Sequence, residues 1–187
     1  MFARGLLLSL MLATLPGCPT RFDAPRLGIV VSPPSGGARR YEHTASHVAF
    51  RIPGEVERGE RAVEGGSYER ISIATPAGGT APLYRVVILR PLDGSRVDAQ
   101  EAVDELARGL IHDQTVDRDV GRTVLGHPAR FLAVAHATER GDEGWFLVVS
   151  DGSVLVLMEM VGRSVAESDL ETVPETFFAS LELGAPE

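Results

Sequence analysis

The residues of this chain that could carry chemistry are five histidines, one cysteine and a short run of aspartates. His43 and His47 stand four apart, a spacing that on a helix puts two metal ligands on one side. Their segment runs into Val48-Ala49-Phe50, an extended pattern. Glu42 would point elsewhere, and no third ligand follows at a suitable spacing, so the two are read as a solvated pair. His112, His127 and His136 are isolated. His127 precedes Pro128 and reads as a turn residue, and His136 shares a strand face with Leu132 and Val134. Asp113, Asp117 and Asp119 precede Gly121, but a calcium loop needs a different spacing and a later glutamate. A polar turn is the expectation there. The chain contains no G-x-S-x-G, no H-E-x-x-H and no phosphate loop. Arg140-Gly141-Asp142 has the composition of a hairpin loop. Trp145, the single tryptophan, stands among apolar neighbours and is expected in the core. No catalytic residue, metal site or cofactor is assigned on these grounds.

Cys18 is different. It has no partner for an intrachain disulfide, and it closes a distinct segment. Arg4 precedes an apolar run from Leu6 to Leu15, and Pro16-Gly17 follow. A short charged start, a short apolar run and a small residue before a cut site make an export leader. The run is about ten residues, where a membrane-spanning helix needs about 20. Leu15-Pro16-Gly17-Cys18 resembles the lipobox of bacterial lipoproteins, although Pro16 departs from the small or aliphatic residue usual at its place. The resemblance implies cleavage between Gly17 and Cys18. It also implies a diacylglycerol on the thiol and an acyl chain, such as palmitate, on the freed amine. Two or more chains hold a protein firmly on a bilayer. Pro19 in place of Asp resembles the sorting pattern for the outer membrane of a Gram-negative envelope, with the protein facing the periplasm or the surface. The alternative is an ordinary secretory leader with Cys18 as a free thiol.

These residues need a frame to position them. Residues 1–17 are the expected leader, 18–40 a lipidated cysteine and tether, and 41–187 one globular domain. The tether reading rests on Pro19, Pro25, Pro33-Pro34 and Gly36-Gly37, and implies a stand-off of roughly 25 Å from the membrane. Leu27 to Val31 interrupts it and could dock as an edge strand. The formal net charge is −8, which argues against nucleic acid and against anionic lipid heads as partners. All 18 basic residues are arginine. Strands are expected at 47–52, 67–74 and 83–89. A helix capped by Asp98 and Glu101 should follow. Two short strands at 115–120 and 122–125 should meet at Gly121, and three long ones should follow at 129–138, 145–150 and 154–161. Asp151-Gly152 marks a hairpin. Ser168 with Glu171 opens a last helix, running to about Leu181 and kinked at Pro174. Trp145 to Val149 and Leu155 to Met158 are apolar on both faces, so both faces of the sheet must be covered.

The element order, with Phe50-Arg51-Ile52-Pro53-Gly54, Leu125-Gly126-His127-Pro128-Ala129-Arg130 and Phe177-Phe178-Ala179-Ser180-Leu181, resembles the fold of PsbP and Mog. PsbP is an extrinsic subunit of photosystem II, and Mog binds Ran. The resemblance implies an α+β domain: a central antiparallel sheet of about six or seven strands with helices on both faces. It implies binding of other macromolecules and carries no site residue with it. The expected function is that of a non-enzymatic, lipid-anchored binding or scaffold protein of the bacterial envelope, with an envelope protein as partner. An envelope chaperone for apolar client segments, and a hydrolase whose site assembles only in space, are the rivals. An exposed apolar patch would favour the first and a buried His, Asp and Ser cluster the second.

Overall fold

A computed structural model describes residues 21–76, 81–112, 114–135, 143–162 and 176–184. Two antiparallel sheets face one another. The smaller holds β1 (Ile29–Val31), β2 (Ala38–His43), β3 (Val48–Pro53) and β11 (Glu182–Leu183), in the order β1-β2-β3-β11. The larger has seven strands in the order β4-β5-β6-β10-β9-β8-β7. Its members are β4 (Arg58–Glu64), β5 (Tyr68–Ala74), β6 (Leu83–Pro91), β7 (Thr115–Val124), β8 (His127–Ala135), β9 (Glu143–Ser150) and β10 (Leu155–Gly162). One α-helix, α1 (Ala99–Leu110), stands among the described residues, and residues 176–178 are also helical.

The expected covering of the central sheet is half right. One face of the seven-stranded sheet packs against α1, whose Val103, Leu106 and Ala107 meet Leu132, Phe146, Val148 and Leu157. The other face is covered by the smaller sheet, not by a helix. Tyr41, Phe50 and Ile52 pack there against Ile71, Ile88, Leu147 and Met158. The physical requirement was cover on both faces, and a second sheet meets it as well as a helix does. Of its strands, β3 is the one expected at 47–52 and β1 lies within the possible edge strand at 27–31, whereas β2 begins Ala38-Arg39-Arg40, a charged stretch with no apolar alternation.

The folded part also begins earlier than Tyr41, so residues 21–40 are not a free tether. Leu27 and Ile29 are buried in the core between the sheets. β1 pairs with β2 from Ile29 opposite His43 to Val31 opposite Tyr41, so a boundary at Tyr41 would cut through β2. Pro33 and Pro34 lie in the loop after this strand, and Pro25 opens a short 3-10 turn, Pro25–Leu27.

Local signals hold at the helix and the hairpins. The Asp98 carboxylate accepts a hydrogen bond from the Glu101 N–H at 2.8 Å and caps α1. The Asp151 carboxylate accepts from the N–H groups of Ser153 and Val154 and shapes the β9–β10 turn. Leu125 and Gly126 both have positive φ, 53° and 82°, the two-residue turn that suits the twist of a hairpin. The first half of the expected last helix lies outside the described residues. Its final part is in place: Phe177 meets Tyr84 edge-on, and Phe178 meets Phe131. Ser180 Oγ accepts from the Arg51 N–H at 2.9 Å, which ties this turn to β3.

Candidate functional site

Among the described residues the most buried charged side chain is Glu69, which is 2% exposed. Alternation along β5 puts Glu69 on the same face as Ile71 and Ile73, toward the smaller sheet. Its register partner on β6 is Arg90, and Arg61 reaches it from β4. Burial pushes the Glu69 carboxyl up, but hydrogen bonds from Arg90 and then Arg61 outweigh that and hold it below the usual carboxylate range.

His43 lies close enough to feel both arginines and Glu69. Its ring is buried, and Nδ1 is 2.7 Å from Ser46 Oγ. Burial, then the positive charge of Arg90, pushes the imidazole down to about 4. The reading of His43 and His47 as a solvated pair is therefore corrected. The chain reverses between β2 and β3 through a 3-10 turn, Thr44–Ser46, which sends His43 inward and leaves His47 exposed at φ 51°. Among the described residues no group of three His, Cys, Asp or Glu is placed to hold a metal ion.

Ser46, His43 and Glu69 share the composition of a hydrolytic triad but not its arrangement. The two Glu69 oxygens are taken by Arg61 and Arg90, so neither orients the ring. A base near 4 has little drive to accept a proton at neutral pH. Glu69 ties β4, β5 and β6 together through Arg61 and Arg90, with His43 at the end of β2 nearby.

A second network joins α1 to the edge of the large sheet. Arg130 on β8 binds the Asp119 carboxylate through Nε at 3.0 Å and a terminal nitrogen at 2.5 Å, and reaches Asp104 of α1 at 3.0 Å. Asp119 is thereby neutralised within the fold. Asp117 sits where the β7–β8 register shifts, in a bulge. The polar turn expected at these aspartates is instead part of a ten-residue strand, because Val116, Arg118 to Val124 all find partners on β8. Elsewhere Arg70 pairs with Glu60 and Glu64, and Arg85 with the buried Glu159. A cleft of about 80 Å³ lies between the amino-terminal segment and β4, where Arg21, Arg26 and Arg61 face Asp23 and Glu60. Ligand pockets are typically about 300–1,000 Å³, so this one suits a few waters.

Among the described residues, β7 is an accessible strand. It forms one border of the seven-stranded sheet and is exposed along its whole length but for a half-buried Val124. Arg118, Val120, Arg122 and Val124 share the face of Phe131, and the Arg122 guanidinium lies over that ring at 4.9 Å. The two short strands expected at 115–120 and 122–125 are one strand, because Gly121 keeps its place in the ladder opposite Arg130.

The remaining sequence candidates are scattered. Trp145 is in the core, as expected. His112 is exposed just after α1 and His127 opens β8. Gly17, Cys18, Asp113, His136 and Arg140-Gly141-Asp142 lie outside the described residues. No helix of the described residues is long and apolar enough to cross a membrane.

No known protein family and no curated protein matches the chain. Among solved structures, the chain is similar to cyanobacterial PsbP (CyanoP) from Synechocystis sp. PCC 6803. The identity is 16% and the TM-score 0.49, over 82% of this chain and 98% of that one. It is also similar to a protein of unknown function from Pseudomonas aeruginosa, described as a putative regulator. There the identity is 15% and the TM-score 0.41, over 85% of this chain and 99% of that one.

Proposed function

We propose that this chain is a non-enzymatic binding protein held at a bacterial envelope membrane by lipid on Cys18, with a PsbP-like domain that binds an envelope protein. The observation that carries the reading is the single cysteine behind Leu15-Pro16-Gly17, at the end of a leader-like segment. The polar clusters of the domain support its non-catalytic half. Glu69, Arg130 and Arg70 are each neutralised by neighbours, which suits a rigid scaffold better than a reaction centre. Cys18→Ala is the direct test. The variant should keep its leader or leave the membrane fraction. A mature variant that still resists a high-salt wash of the membranes would remove the lipid from this reading. The hydrolase alternative has its own check: His43→Gln should leave no esterase activity to lose.

A further inference from the structure

We propose that the free edge of β7 is a docking site for an extended segment of a partner protein that carries acidic residues two positions either side of an apolar one. This deepens the binding half of the proposed function and is independent of the lipid.

A border strand presents every second N–H and C=O to solvent, so an added strand gains main-chain hydrogen bonds at once. β7 offers ten residues, of which the stretch from Arg118 to Val124 pairs in unbroken register with β8. The bulge at Asp117 twists only its beginning. The other border, β4, is not equivalent, because Arg21 already bridges to Arg58 and Phe22 donates to the Glu57 carbonyl.

Charge selects the occupant. On the face shared with Phe131, Arg118 and Arg122 flank Val120. Among the described residues Arg118 has no ion-pair partner, and Arg122 has the Phe131 ring alone. Asp119 points to the opposite face and is held by Arg130. In a paired strand, residues opposite one another share a face. A partner strand therefore places side chains opposite Arg118, Val120 and Arg122 at alternate positions, and acid–apolar–acid satisfies all three. The net charge of the whole chain is negative, but screening over about 8 Å leaves the contact pairs in control.

A second copy fits poorly. Two-fold pairing centred on Val120 sets Arg118 of one copy against Arg122 of the other, twice. Centring on Asp119 sets that carboxylate against itself.

The test uses the full chain in detergent and a short labelled peptide repeating Glu-Ser-Val-Ser, which sets glutamate and valine by turns on one strand face, with the lysine counterpart as control. Fluorescence anisotropy should show the glutamate peptide binding about tenfold more tightly, the effect of exchanging two favourable cross-strand pairs for two repulsive ones. Arg118→Glu with Arg122→Glu should reverse the preference. N-methylation of the peptide's alternate amides should abolish binding. Equal binding of both peptides, or binding indifferent to N-methylation, overturns the proposal. A dimer in sedimentation that Val120→Lys dissociates would overturn it in favour of self-pairing. Because membrane fractionation plays no part, failure here leaves the Cys18 reading untouched.

Discussion

The two borders of the large sheet are treated differently. Phe22 and Leu27 lie against Gly59 of β4, so close that a Cβ at Gly59 would come within 2.5 Å of Leu27 Cδ1. Among the described residues nothing covers β7 in this way, and it carries charges and one bulge. A strand edge invites pairing with any other strand, and covering it with the chain's own residues is one remedy. The difference teaches that residues 21–31 belong to the architecture. They close one border of the large sheet and add β1 to the smaller one.

The strongest way to break this comparison is to remove the cover. Deleting residues 1–40 takes away β1, Leu27 and part of β2, and should abolish the cooperative urea transition and the near-UV circular dichroism. Deleting 1–20 should preserve both. A cooperative fold starting at Tyr41 would show that the cover is decoration. A milder cut is Leu27→Ala, which should cost about 2–5 kcal/mol, the usual range for a buried leucine.

His43 sharpens the comparison through pH, since it stands opposite Ile29 in the β1–β2 ladder. Its folded pKa of about 4 is below the unfolded 6.5, so the unfolded state takes up the proton first. Stability should be full above pH 6.5, fall as pH drops from there toward 4, and level off below. The loss should amount to about 3 kcal/mol. Denaturation at pH 7 and 4.5 should show the loss in the parent and not in His43→Gln. The smallest effect belongs to the open border. Val120→Lys should change stability by less than about 0.5 kcal/mol, as exposed substitutions do. A large loss would mean that β7 is already covered.

Much of this frame was legible in the sequence where local chemistry dictates structure. The Asp98 cap, the Asp151 turn and the doubly apolar β9 and β10 needed no tertiary information. β4 was not legible, because Arg58-Gly59-Glu60-Arg61-Ala62-Val63-Glu64 has no apolar alternation. It is a strand because β5 offers it a ladder and Glu69 and Arg70 offer its charges partners. The inward turn of His43 was hidden for a similar reason. Four-residue spacing says nothing about which of two histidines a reversing chain will bury. The second sheet escaped because burial of β1 and β2 depends on residues far away in the chain.

Arg21 pairs with Arg58 at the start of β4, and three positions separate it from Cys18. Three residues reach at most about 10 Å. A lipid on Cys18 would then work as a pivot fixed to one rim of the molecule. The opposite rim is six strand spacings away, roughly 29 Å across the sheet. The domain would swing on its anchor like a door on a hinge, with β7 as the free edge that sweeps the widest arc.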